Sequence, residues 1–95
     1  MAMILKANGG IDRMDLSIKA HQRLEQMREA IGGGYVEFVR TIDTFNKQRI
    51  MVVDDSGLIK DLPLNKIASV MAGRQIVGDV LLLTPEETED EMNVV

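Results

Sequence analysis

The sequence has no cysteine and no tryptophan, and only two phenylalanines, one tyrosine, one histidine and two prolines among its 95 residues. Each shortage removes a class of chemistry. Without cysteine there is no disulfide, no thiolate nucleophile and no cysteine-held zinc. With 3% aromatic residues there are few rings on which single-stranded bases can stack. The lone His21 sits in a helical pattern beside Leu24 and Glu25, with no second histidine to share a catalytic or metal site. It reads as a surface residue. The run Val80 to Leu83 is only four residues long, against roughly 20 for a membrane span. The first ten residues hold no apolar run of signal-peptide length. A soluble, cytoplasmic protein is expected.

What is present belongs to a folded body. Hydrophobic residues make up 45% of the chain, enough for a core, and 95 residues suit one domain. The net charge of −4 is uneven. Glu86, Glu87, Glu89, Asp90 and Glu91 crowd the last twelve residues without a base, and the rest of the chain holds ten acids against eleven bases. The expected division is a domain over 1–83 and an acidic C-terminal tail over 84–95, read as a solvated, mobile end. A body this close to neutral is a poor match for duplex nucleic acid, which calls for a strongly basic face.

Periodicity predicts a strand over Ala2 to Lys6, a turn at Asn8-Gly9-Gly10, and a second short strand around Met14. Ser17 to Ile31 reads as a helix, capped by Asp15 or Ser17. Ala20, Leu24, Met27 and Ile31 line its apolar face. Gly32 supplies the left-handed residue beyond the helix end, and Gly33 and Gly34 reverse the chain. Tyr35 to Ile42 alternates as a strand, with Val36, Phe38 and Arg40 on one face. Arg49 to Val53 is apolar on both faces, as in a strand covered on two sides. A second helix is expected near Leu64 to Ala72, with Pro63 in its first turn, Asn65 as a possible cap and Gly73 at its end. A final strand runs through Gln75 to Leu83, Gly78 marking a bulge or close contact. Thr84-Pro85-Glu86-Glu87 has the composition of one more helix start. The order implies an α+β fold: a mostly antiparallel sheet of four or five strands with two helices packed on it.

No group of side chains announces catalysis. Ser17, Ser56 and Ser69 read as a cap, a turn and a helix residue. Asp54, Asp55 and Asp61 lack the spacing of a calcium loop and read as turn formers. The expectation is a protein that is not an enzyme and has no metal and no cofactor. Arg40, Arg49, Lys66 and Arg74 are candidates for holding a small anion. The backbone amides of Gly33 and Gly34 could meet a phosphate, although these glycines follow a helix and so face its negative end.

The pattern Gly33-Gly34-Tyr35-Val36-Glu37, then Leu62-Pro63 with Asn65 and Ala68, then Gly78 before an aliphatic strand, resembles a family of short phage and mobile-element proteins described as a domain of unknown function. Asp54 and Asp55 replace the Asn-Glu pair of that pattern. The resemblance spans about residues 17 to 83 and implies a phage-type source, hence a host-cell cytoplasm, and no established activity. By analogy with small oligomeric phage proteins, it leads to the expectation of an anti-defence sponge that sequesters a nucleotide-derived immune signal. Gly33, Gly34, Tyr35, Arg40, Arg49, Asn65, Lys66 and Arg74 are its expected ligand-binding residues, Tyr35 by stacking. A homo-oligomer is expected, since the aliphatic runs Val80 to Leu83 and Met92 to Val95 leave apolar surface to cover. The alternative is an inhibitor or interaction module that engages a host or phage protein through a sheet edge or the acidic tail.

Overall fold

The computed structural model describes residues 2–17, 19–43 and 45–93, with all of their side chains except those of Ala20, Asp90, Met92 and Asn93. Five strands and three helices follow the order β1 (Ala2–Leu5), β2 (Ile11–Met14), α1 (Ala20–Ala30), β3 (Val36–Ile42), β4 (Gln48–Asp54), α2 (Lys66–Ala72), β5 (Val80–Leu82), α3 (Pro85–Asn93). The strands form one antiparallel sheet in the order β2-β1-β5-β4-β3. The fold is therefore α+β, as the sequence pattern predicts, with a third helix added. No helix among the described residues is long and apolar enough to cross a membrane.

Alternation in β4 and β5 divides the core in two. Met51, Val53, Val80 and Leu82 join Val39, Ala68 and Ile76 on the α2 side. Ile50, Val52, Leu81 and Leu83 join Met27 and Ile31 of the α1 region on the opposite side. The aliphatic run Val80 to Leu83 is fully buried at the centre of the sheet. It leaves no surface for an oligomer to cover, contrary to expectation. Most of the other run, Met92 to Val95, lies outside the described residues or side chains.

Several local expectations shift for identifiable reasons. The first helix begins at Ala20, not near Ser17, and its N-cap Lys19 has no side-chain cap bond. Ser17 instead accepts the Lys19 amide on Oγ, and its own amide donates to Gln26 Oε1 at 2.7 Å. That local turn holds the chain out of the helix. Leu24 faces solvent rather than the core. The end of α1 follows expectation. The Gly33 amide donates to Arg28 O and the Gly32 amide to Glu29 O, with Gly32 at φ +92°. This is the paired bonding of a Schellman cap. Pro63 lies before α2 rather than in its first turn, and its carbonyl accepts the Gly78 amide.

The C-terminal acidic segment is a helix, not a solvated tail. Thr84 and Glu87 exchange side-chain-to-backbone bonds of 2.9 and 3.0 Å, forming a capping box at the start of α3. Thr88 is buried, and its Oγ1 accepts the Ile50 amide at 2.9 Å. Glu91 pairs with Arg23 of α1 at 2.8 Å. Glu86 and Glu89 stay exposed while Thr88 turns inward.

Candidate functional site

An apolar groove of about 490 Å³ lies on the α2 side of the sheet. Met3, Leu5 and Leu82 form its floor, and Met71 with Ile67 and Val70 of α2 forms one wall. The opposite wall is the β3–β4 turn, with Ile42 and Phe45. Phe45 is 82% exposed and Val70 84% exposed. Ile11, Ile42 and Ile67 are exposed too. Large apolar side chains scattered singly on a surface need no explanation; several converging on one groove do.

One charge pair stands at the turn end of the groove. Arg49 donates to Leu83 O at 2.6 Å and lies 3.7 Å from the Asp43 carboxylate. Asp43 Oδ1 also accepts the Lys47 and Phe45 amides at 3.0 and 2.9 Å. The Lys47 amide most of all, with lesser help from the Phe45 amide and Arg49, holds the Asp43 carboxyl below its ordinary value, against an opposing effect of burial second only to that of Lys47. These bonds fix the turn that presents Phe45. Arg49, expected to bind a phosphate, is committed to this network.

The other expected ligand residues lie apart. Arg74 pairs with Glu37 at 3.4 Å beside a hollow of about 270 Å³ that also holds Asp54 and Asp55. Its surroundings are acidic. Lys66 lines a third hollow, of about 320 Å³, near Lys6 and Asn65. Lys6 is itself paired with Asp12. Asn65 is buried and does cap α2, through Oδ1 and the Ala68 amide at 3.1 Å. Its Nδ2 donates to Leu5 O and Gly78 O, both at 2.9 Å, so its side chain is occupied. Gly33 spends its amide on the α1 cap, so that amide is not available to a phosphate. Gly34 packs beside Asp54 and Lys60, which are bonded at 2.8 Å, and its carbonyl accepts from Arg28 Nε. Tyr35 stands exposed at the same corner. Arg40 projects from β3 into solvent, with no ion pair among the described residues. The eight residues thus do not converge on one site.

Of the groove residues only Arg49 was in the expected set. One signal was present in the sequence: Phe45 is a large ring set within the polar turn Asp43 to Gln48. Val70 gave a second, as an aliphatic residue off the apolar face of its helix. Chemically, the groove can bury apolar side chains against the adaptable Met3 of its floor and Met71 of its wall. Among the described residues no three potential metal ligands converge, and no buried side-chain polar atom lacks a partner.

No curated protein and no solved structure was found to match the chain. The model of a domain of unknown function, DUF3846, matches residues 3–94, a span that takes in all five strands and three helices but for Ala2 of β1. On that match the chain belongs to the DUF3846 family.

Proposed function

We propose that this chain is a non-catalytic interaction module that binds a partner protein by its α2-side groove. The observation that carries the reading is the height of the rim. Phe45 and Val70 stand on opposite walls with more than four-fifths of their surface in water. A small ligand sunk between Met3, Leu5 and Leu82 would leave both rim side chains wet. The apolar face of an amphipathic helix laid along the groove would cover rim and floor together, which is the usual mode for such surfaces. Burying the two rim residues contributes about 1.5–3 kcal/mol each at full burial.

The nucleotide-sequestering reading draws less support from a single chain. It needs basic side chains to converge, and Arg49 and Arg74 each lie beside a carboxylate in different hollows. Non-catalytic action is supported by the exposure of His21 and by a groove whose charged groups, Asp43 and Arg49, are engaged with each other at one end of an otherwise apolar lining.

Affinity capture from lysate of a bacterium that expresses the chain, repeated with Val70→Asp and Phe45→Asp, tests the proposal. Both positions are exposed, so neither change should disturb folding. A protein retained by the wild type and lost with both variants is expected. It should shift the amide resonances of Ile67, Val70 and Phe45 when added in purified form. Binding that survives both substitutions would remove the groove from consideration.

A further inference from the structure

The free edge of β3 carries a pattern that fits a second copy of the same chain. β3 is seven residues long, ends the sheet, and pairs with β4 without proline or bulge. The phase of its hydrogen bonds follows from its two ends. Asp55 donates its amide to Tyr35 O, and Asp43 donates its amide to Lys47 O. In an antiparallel ladder the bonded residues alternate, so odd-numbered residues of β3 face β4. The N–H and C=O groups of Val36, Phe38, Arg40 and Ile42 therefore point away from the sheet, along an open edge.

We propose that β3 is the seam of a two-fold dimer, in which the β3 strands of two copies run antiparallel about Val39. Partners across a two-fold strand pairing must share a face, so the axis passes through a residue. An axis through Arg40 sets two guanidiniums directly opposite each other. An axis through Phe38 leaves Ile42 facing Gly34. The axis through Val39 pairs Val36 with Ile42 and Phe38 with Arg40, and each of these four edge residues donates one main-chain bond and accepts one. It places each guanidinium against the other copy's Phe38 ring, a favourable cation–aromatic pair. Glu37 falls opposite Thr41, so no like charges meet. Phe38 and Ile42 are 47% and 60% exposed in the single chain, and this register covers both. The other edge, β2, has only four residues, with Asp12 and Arg13 at its middle; a two-fold axis through either one opposes like charges.

The proposal shares only Ile42 with the groove, whose other residues lie over a face of the sheet or in the turn beyond β3 rather than along this edge. Sedimentation of the full chain across micromolar concentrations tests it, using two substitutions at one site. Phe38→Arg sets the introduced guanidinium against Arg40 at two symmetry-related places. It should weaken the dimer by about tenfold. Phe38→Glu sets a carboxylate there and should keep the dimer or tighten it. Arg40→Pro removes an outward amide that takes no part in the β4 ladder, and should abolish dimerisation while thermal melting of the chain stays cooperative. Val70→Asp should leave the dimer unchanged. A wild type that stays monomeric throughout overturns the proposal. So does a dimer that responds equally to both changes at position 38, or one that is lost only with Val70→Asp.

Discussion

Asn65 offers the sharpest test of how the fold is joined. The side chain, 1% exposed, makes three bonds to three different segments. Oδ1 takes the Ala68 amide at the start of α2, while Nδ2 reaches Leu5 O at the end of β1 and Gly78 O ahead of β5. Its backbone adds bonds to Ile76 O and from Ser69. Asn65→Ala removes the three side-chain bonds and strands two carbonyls and an amide out of reach of water. Loss of the cap costs about 1 kcal/mol. Each buried carbonyl left without its donor adds about 1–2 kcal/mol. The expected loss is therefore roughly 3–5 kcal/mol, a large part of the ~5–15 kcal/mol of a typical domain. At about 4–8 °C per kcal/mol for a domain of this size, the melting temperature should fall by roughly 15–30 °C.

Asn65→Ser separates the parts. Serine keeps a capping oxygen for Ala68 but has no reach to Leu5 or Gly78, so it should recover only about 1 kcal/mol of the loss. Urea unfolding of the three proteins, with equal slopes to confirm a common mechanism, gives the numbers. If Asn65→Ala costs no more than an exposed cap, about 1 kcal/mol, the claim that this residue ties β1 and the β5 approach to α2 fails. A ligand role for Asn65 predicts the opposite outcome: a stable protein that has lost binding.

Gly34 has φ +98°, and a Cβ there would come within 2.6 Å of Lys60 Nζ. Gly34→Ala should cost about 2 kcal/mol, from left-handed strain plus displacement of Lys60 from Asp54; Gly32→Ala, with open space around it at φ +92°, should show only the strain, and equal losses would refute the contact. Thr88→Val leaves the buried Ile50 amide without an acceptor and should cost about 1–3 kcal/mol in urea unfolding; a chain truncated after Thr84 should lose more still, and wild-type melting of that truncation would contradict the packing of α3. The Asp43 carboxyl has its pKa lowered by folding, so its stabilising effect is complete above the unfolded value near 3.8 and is lost as pH falls through the folded value beneath it. An NMR titration should show Asp43 protonating below that pH with a concurrent shift of the Lys47 and Phe45 amides, and Asp43→Asn should remove that acid-dependent change; a midpoint above 3.8 would reverse the sign of the argument.

Much of the sheet was legible because its signals are local. The alternation of Ile50, Met51, Val52 and Val53 specifies a strand apolar on both faces, and β4 lies between β5 and β3 with helices on both sides. Gly32 and Gly73 mark helix ends because few other residues adopt positive φ cheaply. The start of α1 was less legible, since the competing turn depends on Gln26 reaching back nine residues to Ser17. The acidic helix had its start written in Thr84 to Glu87, but its docking depends on Thr88 meeting Ile50, a contact 38 residues distant in sequence. For the same reason basic residues counted along the chain did not locate a site. Arg74 lies near Glu37 and Arg49 near Asp43 only after the strands pair.

The groove itself follows from a mismatch of lengths. A helix advances about 1.5 Å per residue, so the seven residues of α2 cover about 10 Å. Five strands about 4.8 Å apart make a sheet about 19 Å across. On the opposite face α1 and α3, of 11 and 9 residues, share that width. On the α2 face one short helix cannot, and the strip over β1 and β5 is left to Met3, Leu5 and Leu82. The helix stops at Gly73, held in the left-handed conformation at φ +68°, and Arg74 follows it to pair with Glu37. With Met71 and Met3 bordering the strip, its shape adjusts at low cost to what covers it. The short helix is thus the feature that leaves this face an open groove rather than a second closed layer.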